Sequence, residues 1–125
     1  MILLLDAHAL LWWLDDNPAL SADARGAIAD PSNDVLVSAA TVWQIEIKRV
    51  LGKLDAPDGL VDVLESAGLG SLPITLRDAE SAARLPAHHR DPFDRMLVAQ
   101  AQRLDALLVT RDPAFAHYEV ESLRA

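Results

Sequence analysis

The sequence predicts an α/β protein of three layers, with helices on both faces of a central, mainly parallel sheet of four to five strands. Three observations predict it. Met1–Leu5 and most of Ala106–Thr110 are continuously apolar, as short strands buried on both faces of a parallel sheet are. Strand-like and helix-like stretches follow in the order β-α-α-β-α-α-β-α-α-β-α-β, and right-handed crossovers then make neighbouring strands parallel. The chain of 125 residues, 51% hydrophobic and 24% charged, suits one domain over residues 1–125 with a real core.

The elements can be justified in order. Met1–Leu5 is the first strand and stops at Asp6, which caps a helix over Ala7–Leu14. Asp15-Asp16-Asn17-Pro18 breaks that helix. Ser21–Ala29 is a second helix, halted before Pro31. Asp34–Val37 is the second strand, and Ser38 caps a helix over Ala39–Leu51 that Gly52 ends. Pro57–Ala67 is helical up to Gly68, and Ser71–Thr75 is strand-like. Leu76–Leu85 is helical and stops at Pro86. Asp91 is the N-cap and Pro92 the first residue of a long helix, with Phe93, Leu97, Val98, Ala101 and Leu104 along one face. Ala106–Thr110 is the fourth strand. Asp112-Pro113 opens a helical turn, and Tyr118–Leu123 is a weak edge strand.

Composition narrows the function. There are no cysteines, which excludes a disulfide scaffold, a thiol nucleophile and Cys-based metal sites. Leu and Ala number 21 each, favouring helix. The formal net charge of −8 argues against a protein that coats nucleic acid nonspecifically, although metal ions, a basic partner or a local basic patch would allow contact with it. Met1–Leu14 is too short to span a membrane and lacks the basic start of a signal peptide. A soluble, cytoplasmic protein that does not engage membranes is expected.

In parallel sheets, function gathers outside the carboxyl ends of the strands. Asp6 follows the first strand directly, and Asp112 follows the fourth by one residue. Asp91 and Asp94 open the long helix, and the helix after the second strand carries Gln44 and Glu46. Singly, Asp6, Asp91 and Asp112 are adequate helix caps, and Asp94 suits the helix dipole. Together, three or four carboxylates at one sheet edge repel one another, and a divalent cation relieves that repulsion. Carboxylates without Cys and with few His favour Mg²⁺ or Mn²⁺, ions suited to phosphoryl transfer.

Five blocks then carry a resemblance over nearly the whole chain. They are Leu3–Trp13, Val37–Lys48, Leu51-Gly52-Lys53-Leu54, His89–Ala101 (reading HRDPFDRMLVAQA) and Leu108-Val109-Thr110-Arg111-Asp112. The last two are specific in combination. The chain resembles PIN-domain ribonucleases, in the branch of VapC-type toxins of bacterial toxin–antitoxin pairs. The resemblance implies a PIN-like fold and a metal-dependent RNA endonuclease using Mg²⁺ or Mn²⁺. Asp6, Asp94 and Asp112 carry over as catalytic acids and as ligands of the ion, directly or through water. Asp91 is a regular companion of Asp94. The implied partners are RNA and a VapB-like antitoxin that lays an apolar segment into a groove and reaches the acidic pocket with a basic side chain. A homodimer is implied as well. No acid–base histidine and no covalent intermediate are expected.

Two positions depart from the family pattern. The fourth acid belongs where Gln44 stands, and the acid here is Glu46, two residues on. Two residues turn a helical side chain by about 200°, so Gln44 and Glu46 cannot point the same way. Thr41, Gln44 and Lys48 share a polar stripe that favours Gln44; a local distortion would bring in Glu46. Both remain candidates. Ala7 replaces a hydroxyl residue usual after Asp6.

The other polar and aromatic residues say less. His8, His88, His89 and His117 have no metal-ligand spacing, and His8 reads as a structural or site-wall residue. Trp12, Trp13 and Trp43 read as core or partner contacts. Lys48, Arg49 and Lys53 form a stripe that is either a solvated face or a phosphate track. Arg90, Arg95 and Arg111 either grip phosphate or pair with the acids. A weakened PIN-fold binding module is one rival reading, resting on Gln44 and Ala7. A receiver-like signalling domain is another, but it wants an Asp at the end of the third strand, where Pro73-Ile74-Thr75 stands.

Overall fold

The computed structural model describes all 125 residues. Its elements are β1 (Ile2–Leu5), α1 (Ala7–Leu14), α2 (Ala22–Ala29), β2 (Asp34–Ser38), α3 (Ala39–Val50), α4 (Leu60–Ser66), β3 (Gly70–Leu72), α5 (Leu76–Arg84), α6 (Pro92–Leu104), β4 (Leu107–Thr110), a 3₁₀ turn (Pro113–His117) and β5 (Ser122–Arg124). The five strands lie in the order β3-β2-β1-β4-β5, and every pairing is parallel.

β1 is the central strand, and its unbroken apolarity follows from that position. Alternate side chains of a strand face opposite ways, so Leu3 and Leu5 enter one core and Leu4 the other. The first core packs Ala9, Leu10, Ala24, Ile28, Ile45, Leu60 and Leu64 from α1 to α4 against the sheet. The second packs Leu97, Val98 and Ala101 of α6 with Leu108 and Phe115. Helices thus cover both faces, completing three layers.

The chain steps outward from β1 through β2 to β3, then returns to lay β4 on the other side of β1. That reversal between β1 and β4 opens a crevice at their carboxyl ends. Asp6 and Asp112 stand at its two lips.

Three boundaries differ from expectation, each for a local reason. β3 ends at Leu72 rather than Thr75, because Pro73 has no N–H to give the ladder. Thr75 instead caps α5, accepting from Asp78 N while the Asp78 carboxylate accepts from Thr75 N. α4 begins at Leu60 rather than Pro57, after Gly59 at φ 64°, a left-handed conformation costly for other residues. β5 is Ser122–Arg124, later than Tyr118–Leu123. Tyr118 is buried instead, with its hydroxyl tied to the α5–α6 loop.

Candidate active site at the β1–β4 crevice

Asp6 and Asp112 each cap a helical turn with one carboxylate oxygen and turn the other to a different partner. Asp6 Oδ1 accepts from Ala9 N at 2.9 Å and starts α1. Asp91 Oδ1 accepts from Phe93 N at 2.8 Å and Asp94 N at 3.1 Å and starts α6. Asp112 Oδ1 accepts from Ala114 N at 2.9 Å and starts the 3₁₀ turn. The second oxygens of Asp6 and Asp112 meet other partners. Asp6 Oδ2 accepts from the Thr110 hydroxyl at 2.5 Å, and Asp112 Oδ2 lies 3.7 Å from His89 Nε2. Asp94, one turn into α6, places Oδ2 2.7 Å from the same nitrogen. The capping and functional readings of these acids are therefore compatible.

Asp6, Asp91, Asp94, Asp112 and His89 line one cavity of about 500 Å³, together with Gln44 and Lys48 from α3. Gln44 is buried at 9% exposure and Lys48 is half-buried, one helical turn on. Glu46 does not join them. It pairs with Arg49 at 2.7 Å and lines a separate, largely apolar cavity with Trp43 and Val61. The correction has a simple cause: α3 is regular through this stretch, so the rotation of about 200° between positions 44 and 46 holds. No distortion brings Glu46 round.

The electrostatics record the crowding. Burial, aided by the neighbouring Asp91 charge, pushes the Asp94 carboxyl up to about 6, although the His89 hydrogen bond and charge oppose it. Burial also raises Asp6, against the bonds from Thr110 and Ala9, and the Asp112 charge adds to the rise.

The basic residues divide. Arg111 lines the cavity but bonds none of the acids: its guanidinium donates to the Ala19 and Ala125 carbonyls and stacks over Trp12, 4.6 Å from the ring centre. Arg95 donates to carbonyls at the end of α5 and in the α5–α6 connection. Arg49 bridges Glu46 and Asp58. Of the predicted stripe, Lys48 reaches the cavity. Arg90 is exposed. His8 sits on the cavity wall against Trp12, with ring centres 5.8 Å apart.

Two site residues escaped the sequence reading. His89 follows no ligand-spacing rule, because it reaches the acids from a loop. Thr110 ends β4 and ties two acids together, accepting from Asp112 N at 3.1 Å and donating to Asp6. Its position as the last residue of a buried strand was the available signal.

The PIN domain family profile matches residues 3–121. The chain belongs to the PIN domain family. A stretch of 74 residues is 34% identical to ribonuclease VapC16 of Mycobacterium tuberculosis, covering 54% of this chain. The match spans about half, 52%, of that relative's length. Among solved structures, this PIN domain resembles VapBC2 from Rickettsia felis bound to a DNA fragment from its promoter, with a TM-score of 0.72 at 14% identity over 98% of both chains. It also resembles VapBC-5 from Mycobacterium tuberculosis, with a TM-score of 0.61 at 22% identity over 99% of this chain and 98% of that one. At these identities the structural likeness establishes the fold, a PIN-like α/β/α sandwich. β3, an edge strand away from the β1–β4 crevice, ends at Leu72 before Pro73 and carries no Asp there.

Proposed function

We propose that this single PIN domain, residues 1–125, is a divalent-metal-dependent RNA endonuclease and the toxin of a type II toxin–antitoxin pair. The observation that carries the reading is the convergence of Asp6, Asp94 and Asp112, from three separate elements, on one cavity at the β1–β4 reversal. The relatives named above, a ribonuclease and VapBC assemblies, point the same way.

The residues fit a hard cation. Asp94 is held up to about 6 by burial and by Asp91, so the crowded carboxylates gain when a positive charge enters. Asp6, Asp94 and Asp112 would hold the ion, Mg²⁺ or Mn²⁺, directly or through water. When bound, it supplies positive charge for the scissile phosphate and makes water a stronger nucleophile. The chain's own groups do the rest. Thr110 fixes the Asp6 carboxylate and the Asp112 backbone in one arrangement. Lys48 presents a cation to the RNA backbone at the cavity wall. Gln44 offers a donor and an acceptor but no charge.

The test is cleavage of RNA with Mg²⁺, with Mn²⁺ and with EDTA. Cleavage that needs the ion and disappears in Asp94→Asn supports the reading. Cleavage by that variant at the wild-type rate refutes it.

The partner is a VapB-like antitoxin with an apolar segment and a basic side chain for the acidic cavity. The protein pairs with a second copy as well. Trp43 at 63% exposure, with Val50, Leu51 and Val61, leaves α3 and α4 an uncovered apolar face, which supports pairing. A monomer by light scattering at tens of micromolar would rule the pair out. Co-expression with the adjacent gene's product that neither forms a complex nor relieves toxicity would rule out the antitoxin. No helix is long and apolar enough to cross a membrane, which accords with action in the cytoplasm.

A further inference from the structure

The geometry points to His89 as a nitrogen ligand of the metal centre: with Asp94 and Asp112 it forms a mixed imidazole–carboxylate set that favours Mn²⁺ over Mg²⁺. This rests on the metal-nuclease reading and refines it. His89 Nε2 lies 2.7 Å from Asp94 Oδ2 and 3.7 Å from Asp112 Oδ2. One donor atom from each of the three residues falls within 4.8 Å of the others. Donors bonded to one small ion at about 2.1 Å stand about 3 Å apart when adjacent and about 4 Å apart when opposite. The separations of 2.7 and 3.7 Å from His89 Nε2 fall within that range, and the Asp94–Asp112 separation, within 4.8 Å, needs at most a closure of about 1 Å to share one coordination shell. An imidazole serving Asp94 alone would need no approach to Asp112, which comes from a different element.

The His89 backbone is also held in place, although it sits on a loop. His89 N donates to Tyr118 Oη at 2.9 Å, and Arg95 Nη1 donates to the His89 carbonyl at 3.2 Å. Phe115 meets the ring edge-on, with centres 6.1 Å apart. Arg95 Nη2 gathers the Ala82 and Leu85 carbonyls at 2.9 and 2.8 Å, and Tyr118 Oη donates to Pro86 O at 2.8 Å. Asp94 and Arg95 are consecutive, so one turn of α6 carries both the acid and the clamp on the His89 backbone. A backbone fixed in advance leaves less freedom to lose when the imidazole binds.

The donor type sets the preference. Mg²⁺ keeps oxygen ligands and water in a strict octahedron, whereas a neutral imidazole suits first-row transition ions. Position 44 provides an amide where the family pattern has a carboxylate. His89 provides a further donor without adding negative charge to a crowded cluster.

The test loads the whole chain with Mn²⁺ and reads ¹⁴N coupling by pulsed electron paramagnetic resonance, which depends on no variant folding. The wild-type protein should show imidazole coupling, and His89→Gln should lose it. By calorimetry, His89→Gln should weaken Mn²⁺ binding by about tenfold to a hundredfold and Mg²⁺ binding much less. Bound Mn²⁺ without nitrogen coupling, or equal weakening for both ions, overturns the ligand role and leaves the nuclease reading standing. A wild-type protein that neither binds Mn²⁺ nor cuts RNA overturns both.

Discussion

Asp94→Asn should abolish cleavage and at the same time stabilise the metal-free protein. The Asp94 carboxyl is moved from an ordinary 3.8 to about 6, first by burial and then by Asp91. That corresponds to about 3 kcal/mol against the ionised form at neutral pH, an upper bound for the gain on removing the charge. Asn keeps the size and can still bond His89, so a gain of about 1–3 kcal/mol is expected. For a domain of this length that is a rise of roughly 3–10 °C in the unfolding midpoint. The direction with pH follows from the raised value. The folded state binds the Asp94 proton more tightly than the unfolded chain. Asp94's stabilising contribution is therefore complete below about 4 and lost as pH rises through about 6. The variant's advantage should accordingly be largest at pH 7 and vanish near pH 4. Thermal unfolding followed by circular dichroism in EDTA, from pH 4 to 7.5, measures it. Adding Mn²⁺ should reverse the order at pH 7, since an ion at a thousand times its Kd stabilises the wild type by about 4.1 kcal/mol. A variant less stable than wild type in EDTA at pH 7, or an advantage that persists at pH 4, would show that Asp94 is not held in a charge-averse site.

Other substitutions separate the candidate residues. Gln44→Glu should raise Mn²⁺ affinity by about tenfold or more, because it adds a negative charge to the cavity that would hold the ion, and should lower metal-free stability through repulsion with Asp6 and Asp94; calorimetry and melting curves read both. Glu46→Ala should leave Mn²⁺ affinity and RNA cleavage within about twofold, as its carboxylate pairs with Arg49 away from the cavity; an inactive variant would reverse the assignment. Thr110→Val removes the hydroxyl that holds Asp6 at 2.5 Å, and the cleavage rate should fall by about tenfold or more with the fold retained. Asp78→Ala should cost about 1–3 kcal/mol by denaturant unfolding without changing metal affinity, since it removes the capping partner of Thr75 and leaves Arg103 unpaired. Burial pushes Asp78 up, but Arg103 and the Thr75 bonds outweigh it and hold the carboxyl below its usual range. Its stabilising contribution should therefore be present at neutral pH and lost as pH falls through the lowered value.

The sequence by itself determined the layered α/β architecture and singled out three acids that the fold brings to one cavity. The apolar runs of β1 and β4 are readable because a strand buried on both faces admits no polar alternation, and caps such as Asp6, Ser38 and Asp91 are local signals that depend on a few neighbouring residues. The choice of Gln44 over Glu46 was half legible, since helical rotation separates them, but only the packing of α3 says which face meets the cavity. Strand ends at Leu72 and Ser122 were not legible, because a short edge strand is defined by what it pairs with. His89 and the Arg95–Tyr118 clamp belonged wholly to the tertiary structure. Asp94 and Arg95 are near His89 in the chain, but Asp112, Phe115 and Tyr118 reach it only because β4 returns beside β1. A loop residue's role is set by distances across that crevice, which no spacing along the chain encodes.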